Sequence, residues 1–454
     1  MKSIRVPAFL NPFAAGVAAA LLLPTGPVAI GAAVLTSPNP AQASFENSPK
    51  AVLDEAWQIV YREYVDTSFN RVDWLAVRQE LLGRDYSSPE AAYDELKRAL
   101  RRLEDPYTRF LEPEQYASLT EQTSGEVSGI GLQLRREPSS GDIFVLDLLP
   151  DSPAQQAGIQ AGDQILMIDG RSTENLTVEG VSQLIRGEQG SQVTVTLKRS
   201  QTGQQDTMIL TREQLQVAAV TSELQQQGNV QVGYIRLTEF SAHAAEQMQS
   251  AISRLSAQGA EAFVLDLRGN PGGLLHASID IGRMLLPRGT IVSTVYRDGH
   301  SEVISANRTD ITNLPLAVLV NGQSASSSEI LTGALRDHNR AVVVGNPTFG
   351  KALVQSLHGL PDGSGIAVTV AHYYTPAGTD ISQQGITPDV EISLTDDQQQ
   401  ALSRNPTLLG TAADPQFVQA VRALEPVVAQ RQQAAATAPL SPPVQQLGQQ
   451  LGHN

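Results

Sequence analysis

Residues 321–355 read NGQSASSSEILTGALRDHNRAVVVGNPTFGKALVQ, directly after the apolar run 316–320. An apolar run that meets Asn321-Gly322 reads as a buried strand entering a turn. Serines follow at 324, 326, 327 and 328, then a helix-like segment. A second apolar run, 341–344, leads through a Gly/Pro turn to one lysine, Lys351, after which 352–357 alternate as a strand. Strand, helix and strand in this order predict an α/β core. Ser326 falls where the first strand turns into the helix. Serine needs a base to take its proton, and the amides at a helix start favour an oxyanion. A lysine turned toward the interior loses solvation, its pKa falls toward neutrality, and it becomes a candidate base. Gln355, four residues further along the strand, shares the face of Lys351 and can orient its amine. Each feature alone has a plainer explanation: serines here cap helices, and most lysines are solvated.

The same rhythm covers residues 216–395. Strands are expected at 230–237, 263–267, 290–296, 316–320, 341–344, 353–357 and 366–372, with helices over 244–255 and 274–286. The strand at 263–267 runs into Arg268-Gly269-Asn270-Pro271-Gly272-Gly273. Gly272 can bring an amide close to a substrate carbonyl. Residues 124–213 change period to short strands with two short helices, around SPAQQAGIQAGDQILMIDG at 152–170. Residues 46–118 read as a small helical domain. There Ser48-Pro49 and Ser88-Pro89 offer caps with proline at the first helical position, and Asp105-Pro106-Tyr107-Thr108 ends the segment. Residues 1–43 carry only Lys2 and Arg5 as charges and end in Ala41-Gln42-Ala43. They read as an export signal, too short in each apolar stretch to span a bilayer. Residues 396–454 are Gln-, Ala- and Pro-rich, with one more helix expected over 415–424 and a mobile tail beyond it.

The chain has 454 residues, room for two or three domains, and a hydrophobic fraction of 41%. A net charge of −15 without any block of Lys/Arg argues against nucleic acid as a partner. There is no cysteine, which excludes disulfides and thiolate chemistry. Seven scattered histidines show no HxxxH spacing. No metal or cofactor is expected.

Two rival motifs compete for this region. Residues 345–351, GNPTFGK, match the GxxxxGK part of a P-loop, and the strand at 263–266 could imitate one ending in a magnesium-coordinating Asp266. Position 352 is Ala, so the metal-binding hydroxyl is missing, and the following residues alternate like a strand where a P-loop opens a helix. GNPGG at 269–273 is similar to the GNSGG of trypsin-like enzymes, but proline stands at the nucleophile's place.

Residues 124–213 resemble a PDZ domain. That resemblance implies that Ser128, Gly129, Ile130, Gly131 and Leu132 form a loop whose amides bind the terminal carboxylate of an extended peptide. From about residue 51 to 390 the chain resembles the carboxyl-terminal processing peptidases, serine–lysine enzymes also called tail-specific proteases. The landmarks are Asp105-Pro106-Tyr107-Thr108, the PDZ segment, the run 266–273, Ser326-Ser327-Ser328-Glu329-Ile330, Pro347-Thr348-Phe349-Gly350-Lys351, and Tyr374-Thr375-Pro376 through Pro388-Asp389. Ser327 stands where the family often has alanine. The resemblance implies an α/β multidomain fold: a helical N-terminal domain, a PDZ domain, and an α/β core of crotonase-like, β-spiral form. It also implies Ser326 as nucleophile, Lys351 as general base, Gln355 as the orienting residue, and the backbone amides of Gly272 and Ser327 as the oxyanion hole. Protein substrates held by their C-termini, and a lumenal or periplasmic location of the cyanobacterial and plastid type, follow from it as expectations. So does processing of the photosystem II reaction-centre precursor. A P-loop ATPase and a non-catalytic PDZ adaptor are the alternatives.

Overall fold

Proline at the first helical position and side-chain caps set the start of the N-terminal helices: α1 Pro49–Glu63, α2 Trp74–Gly83, where Asp73 accepts from the Ala76 N–H, and α3 Pro89–Arg101, capped by Ser88. The structure, a computed structural model, describes residues 20–22 and 48–437. The expected export signal therefore lies outside the described residues, except for the short strand Ala20–Leu22. The apolar faces of α1 and α3 bury Leu53, Ala56, Val60, Leu96 and Leu100. These do not close a separate unit. They belong to one continuous core with Phe263, Leu331 and Tyr373 of the α/β region.

After β1 (Arg109–Leu111), helix α4 (Pro113–Ser124) ends at Gly125 in the left-handed region, φ +70°. Strand β2 (Glu126–Gly129) then leads into a six-stranded antiparallel sheet of β3 (Leu132–Arg136), β4 (Ile143–Leu148), β5 (Gln164–Ile168), β6 (Gln192–Lys198) and β7 (Gln205–Thr211), with the short strand Arg171–Ser172 added to β5. Helix α5 (Val178–Ile185) lies beside β3. This module has its own core, with Ile143, Ile165, Val181 and Val195. It leaves through β8 (Glu213–Gln216), which pairs antiparallel with β2, so the way in and the way out form one two-stranded ribbon.

The remaining chain builds two sheets. The first runs β9 (Val220–Gln227), β10 (Val230–Leu237), β11 (Ala262–Asp266), β14 (Leu316–Val320), β15 (Val342–Gly345), β18 (Val390–Glu391). All but β9 are parallel. Strands β11 and β14 are buried at every position, as their apolar runs require, and β11 ends on one buried charge, Asp266. The crossovers are α6 (Ala244–Ala257), α7 (Leu275–Leu285) and α8 (Ser327–Asp337). The second sheet holds β16 (Leu353–Gly359), β17 (Gly365–Tyr374), β12 (Thr290–Tyr296) and β13 (Ser301–Ser305), with β1 added to β17 and Ala20–Leu22 parallel to β16. Helix α9 (Asp396–Arg404) precedes α10 (Pro415–Thr437). The last helix runs past the expected boundary at 424. Phe417, Val421, Leu424 and Val428 bury against the parallel sheet, which holds residues read from composition as tail in a helix. Among the described residues no helix is long and apolar enough to cross a membrane.

Candidate active site

Strand β14 delivers the chain to the first site residue, and α8 carries it away. Between them Ser326 takes φ +55°, ψ −113°, a strained conformation for any residue with a Cβ. Its serine neighbours fix the turn. Ser324 Oγ donates to the Leu267 carbonyl at 2.8 Å, Ser327 Oγ to the Gly273 carbonyl at 3.0 Å, and Ser328 Oγ to the Asn270 carbonyl at 2.9 Å. Three of the four serines are thus committed to the main chain.

Glu329, fully buried, ties this turn to the lysine. Its Oε1 accepts from Thr348 Oγ1 at 2.6 Å and from the Gly350 N–H at 2.7 Å, and its Oε2 from the N–H groups of Ser326 at 2.9 Å and Lys351 at 3.0 Å. Burial holds its carboxyl above the ordinary glutamate range, against these bonds, which favour the charged form. From the other side the Tyr373 hydroxyl donates to the Ser326 carbonyl at 3.2 Å and, over a shorter contact, to the Lys351 carbonyl.

Lys351 is 2% exposed. Its Nζ donates to Gln355 Oε1 at 3.0 Å and stands 4.2 Å from the centre of the Tyr107 ring, while Gln355 Nε2 donates to the Tyr107 carbonyl. Burial, and after it the charge of Arg109, pushes the ammonium down to about 7; Asp105 and Glu329 pull it the other way. A substantial neutral fraction therefore exists near neutral pH, as a base requires.

Gly272 lies at φ +110°, and a Cβ there would stand 2.8 Å from the Ala325 carbonyl oxygen, 2.9 Å from Ser326 Cβ and 3.1 Å from the Ser327 nitrogen. Only glycine lets the loop approach the serine this closely. The Gly272 N–H already donates to Asn270 Oδ1 at 2.8 Å, so this amide is engaged by a side chain where the sequence led one to expect it open. The loop is anchored by Arg268, which binds Asp266 through Nε at 2.9 Å and Nη2 at 2.6 Å, and Asp414 at 2.6 Å and 3.0 Å. Asp266 is consequently an arginine partner and not a magnesium ligand. After Lys351 the chain extends as β16, so the phosphate-loop reading loses its helix as well. Among the described residues no cluster of His, Cys, Asp or Glu could hold a metal ion.

In the antiparallel module β3 is an edge strand, and a cleft of about 150 Å³ opens between it and α5. Gly129, Ile130, Gly131, Leu132, Ser182 and Arg186 are among its lining. Ser128 is not. It sits in the ribbon, where its Oγ is buried without a hydrogen-bond partner.

Residues 231–392 match peptidase family S41, and residues 144–199 match the PDZ domain. A carboxyl-terminal-processing protease of Picosynechococcus sp. is 48% identical over 338 residues, 74% of this chain and 82% of that protein. The chain belongs to the carboxyl-terminal-processing proteases of family S41. The chloroplastic C-terminal processing peptidase of Tetradesmus obliquus is 40% identical over 367 residues, 78% of this chain and 79% of its own. The solved photosystem II D1 C-terminal processing protease superposes with a TM-score of 0.51 at 38% identity, over 82% of this chain and all of that one. This protein is thus a serine peptidase with a PDZ domain, and neither the ATPase nor the adaptor finds support.

The structure brings Ser326, Ser327, Gly272, Lys351 and Gln355 into one place. Sequence reasoning gave no role to Glu329, Tyr107 and Tyr373. Glu329 had a usable signal, because Ser326-Ser327-Ser328-Glu329 is the S-x-x-E pattern of a helix start. Tyr107 and Tyr373 lie far from Ser326 and Lys351 in the chain and had none.

Proposed function

We propose that Ser326 and Lys351 are the nucleophile and general base of this protease and that the PDZ cleft captures the C-terminus of its substrate. The observation that carries the reading is Glu329, one buried carboxylate accepting the N–H of both residues. Neutral Lys351 takes the Ser326 proton, and Ser326 Oγ attacks a peptide carbonyl. The lysine, held by Gln355, then returns the proton to the leaving amine, and water releases the acyl group by the same route. The Ser327 amide and the Gly272 amide, shared with Asn270, hold the oxyanion. In the PDZ cleft the peptide adds to the free edge of β3, with its carboxylate at Gly129–Leu132. The similarity to the D1 processing protease and to chloroplastic relatives supports an exported enzyme, acting in a thylakoid lumen or periplasm, that trims a photosystem II precursor.

The test is cleavage of a C-terminally extended precursor peptide. Ser326→Ala and Lys351→Ala are each expected to lower kcat by at least about 10³-fold, with circular dichroism unchanged and the extended protein still captured. Near-normal cleavage by either variant refutes the dyad. Equal capture of free-acid and amidated C-termini refutes the role of the PDZ cleft.

A further inference from the structure

A cavity that the dyad does not use lies beside the base. It measures about 290 Å³ and is lined by Lys97, Arg101, Asp105, Thr108 and Arg109, with apolar walls from Leu100 and Phe110. Three of these groups are cations and one is an anion, in a chain whose net charge is −15. Lys97 is engaged by Glu112 at the start of α4. Asp105 is used within its own turn, accepting from the Tyr107 N–H at 2.9 Å and from Thr108 Oγ1 at 2.7 Å. Arg109 is half-buried and its backbone pairs with β17, yet its guanidinium makes no hydrogen bond or ion pair with any described residue. Burial without a counter-charge pulls its guanidinium below the ordinary arginine range. A cation left in this way costs free energy, which a bound anion would recover.

The cavity is coupled to the site through the chain itself. Arg109 follows Tyr107 by two residues, and Tyr107 supplies both the ring against Lys351 Nζ and the carbonyl that holds Gln355.

We propose that this cavity is a subsite for an acidic side chain of the bound peptide, held by the fork of Arg109 with Arg101 at its rim. The assignment rests on the Ser326–Lys351 reading and adds substrate chemistry to it. The charged groups felt at Lys351 are Arg109 and Asp105 from the N-terminal segment and Glu329 from α8, with the Tyr107 ring against it. A carboxylate on Arg109 offsets the cation that helps keep Lys351 neutral. Removing Arg109 acts in the same direction, raising the lysine and moving the acid limb of the rate profile to higher pH.

The experiment compares wild type with Arg109→Gln on matched peptides, Glu against Gln at successive positions around the cleaved bond, with kcat and KM measured across pH. Wild type is expected to show a KM about tenfold lower for one carboxylate peptide than for its neutral partner, the size of a charge-assisted hydrogen bond. In Arg109→Gln that ratio is expected to fall to about one, with the acid limb displaced upward. The proposal is overturned if no pair differs in wild type, or if the difference survives in Arg109→Gln. Competition by inorganic sulfate without any peptide discrimination also overturns it, by assigning a free-anion site. Should Arg109→Gln fail to fold by thermal unfolding, Arg109→Lys is the second variant: it keeps the charge and is expected to hold the limb while losing part of the KM ratio. Loss of the dyad reading would show separately, as cleavage by Ser326→Ala.

Discussion

Around Ser326 the backbone is pinned from every side, whereas around Gly131 the chain hangs from a ribbon. The Ser326 turn is stitched to the loop 267–273 by the hydroxyls of Ser324, Ser327 and Ser328, to the lysine by Glu329, and to β17 by Tyr373. Its surroundings belong to a core that reaches back to the N-terminal helices. The PDZ module has a separate small core and joins the rest through β2 and β8, with side-chain ties such as Arg186–Glu121 at 3.2 Å and His243–Glu126 at 2.9 Å. Chemistry requires atoms held to fractions of an ångström. Capture of a flexible peptide needs an open edge and tolerates movement. The two regions differ as the tasks proposed for them do.

The largest expected effect attacks the pinned side. Glu329→Gln removes the charge from a group that accepts four hydrogen bonds, and its amide nitrogen cannot accept two of them. A loss of about 1.5–3 kcal/mol in positioning predicts kcat lower by tenfold to a hundredfold, roughly, with KM little changed. Steady-state kinetics decide it. An equal fall in thermal stability without a kcat effect would mean that Glu329 only packs.

The pH dependence comes next. Only neutral Lys351 accepts the proton, and its folded value lies near 7, so kcat/KM is expected to rise about tenfold per pH unit below 7 and level off above it. The same shift has a stability counterpart. In the unfolded chain the amine keeps its proton up to its ordinary value of 10.5, so between about 7 and that value the unfolded state binds more protons. Stability from this group therefore rises with pH across that window, and in Lys351→Met denaturant melts should lose this slope.

Tyr373→Phe deletes one hydroxyl that donates to two buried carbonyls. About 1 kcal/mol of stability and a several-fold drop in kcat are expected. A change in KM alone would refute the positioning role.

The smallest effect on chemistry belongs to the hanging side. Gly131 lies at φ +83°, and a Cβ there would stand 2.2 Å from Ser152 Cβ. Gly131→Val is expected to deform the cleft and raise KM for C-terminally extended proteins several-fold, roughly tenfold at most, while kcat for short peptides stays near wild type. A matching loss of kcat on short peptides would break the comparison, because it would mean that the module shapes the catalytic geometry.

The strands of the core were legible because a strand buried on both faces has to be apolar nearly throughout, as at 316–320 and, up to Asp266, at 263–265. The helix starts were legible from their serine-proline caps. Lys351 and Gln355 could be paired because alternating sequence places residues four apart on one face, although the strand itself begins only at Leu353. The extent of α10 was not legible. Its outer face is Gln- and Ala-rich, and only the parallel sheet beneath it makes residues such as Val428 a buried contact. What the N-terminal helices pack against was not legible for the same reason: an amphipathic helix records that it is covered, not by what.

Resemblance made the inserted module a PDZ domain; local order in the chain, by itself, determined a strand–turn–helix with Ser326 at its bend, Lys351 at the entry to a strand, a glycine loop at 269–273 and an inserted module of short strands. Each of these follows from short-range rules of periodicity and turn chemistry. Tertiary structure alone decided that Glu329 spans the backbones of Ser326 and Lys351, that Tyr107 and Tyr373 close around the lysine, that Asn270 occupies the Gly272 amide, and that the Arg109 guanidinium faces a cavity without an ion-pair partner among the described residues. Burial and charge are properties of a place in the folded molecule, assembled from segments more than two hundred residues apart, such as Tyr107 and Gln355.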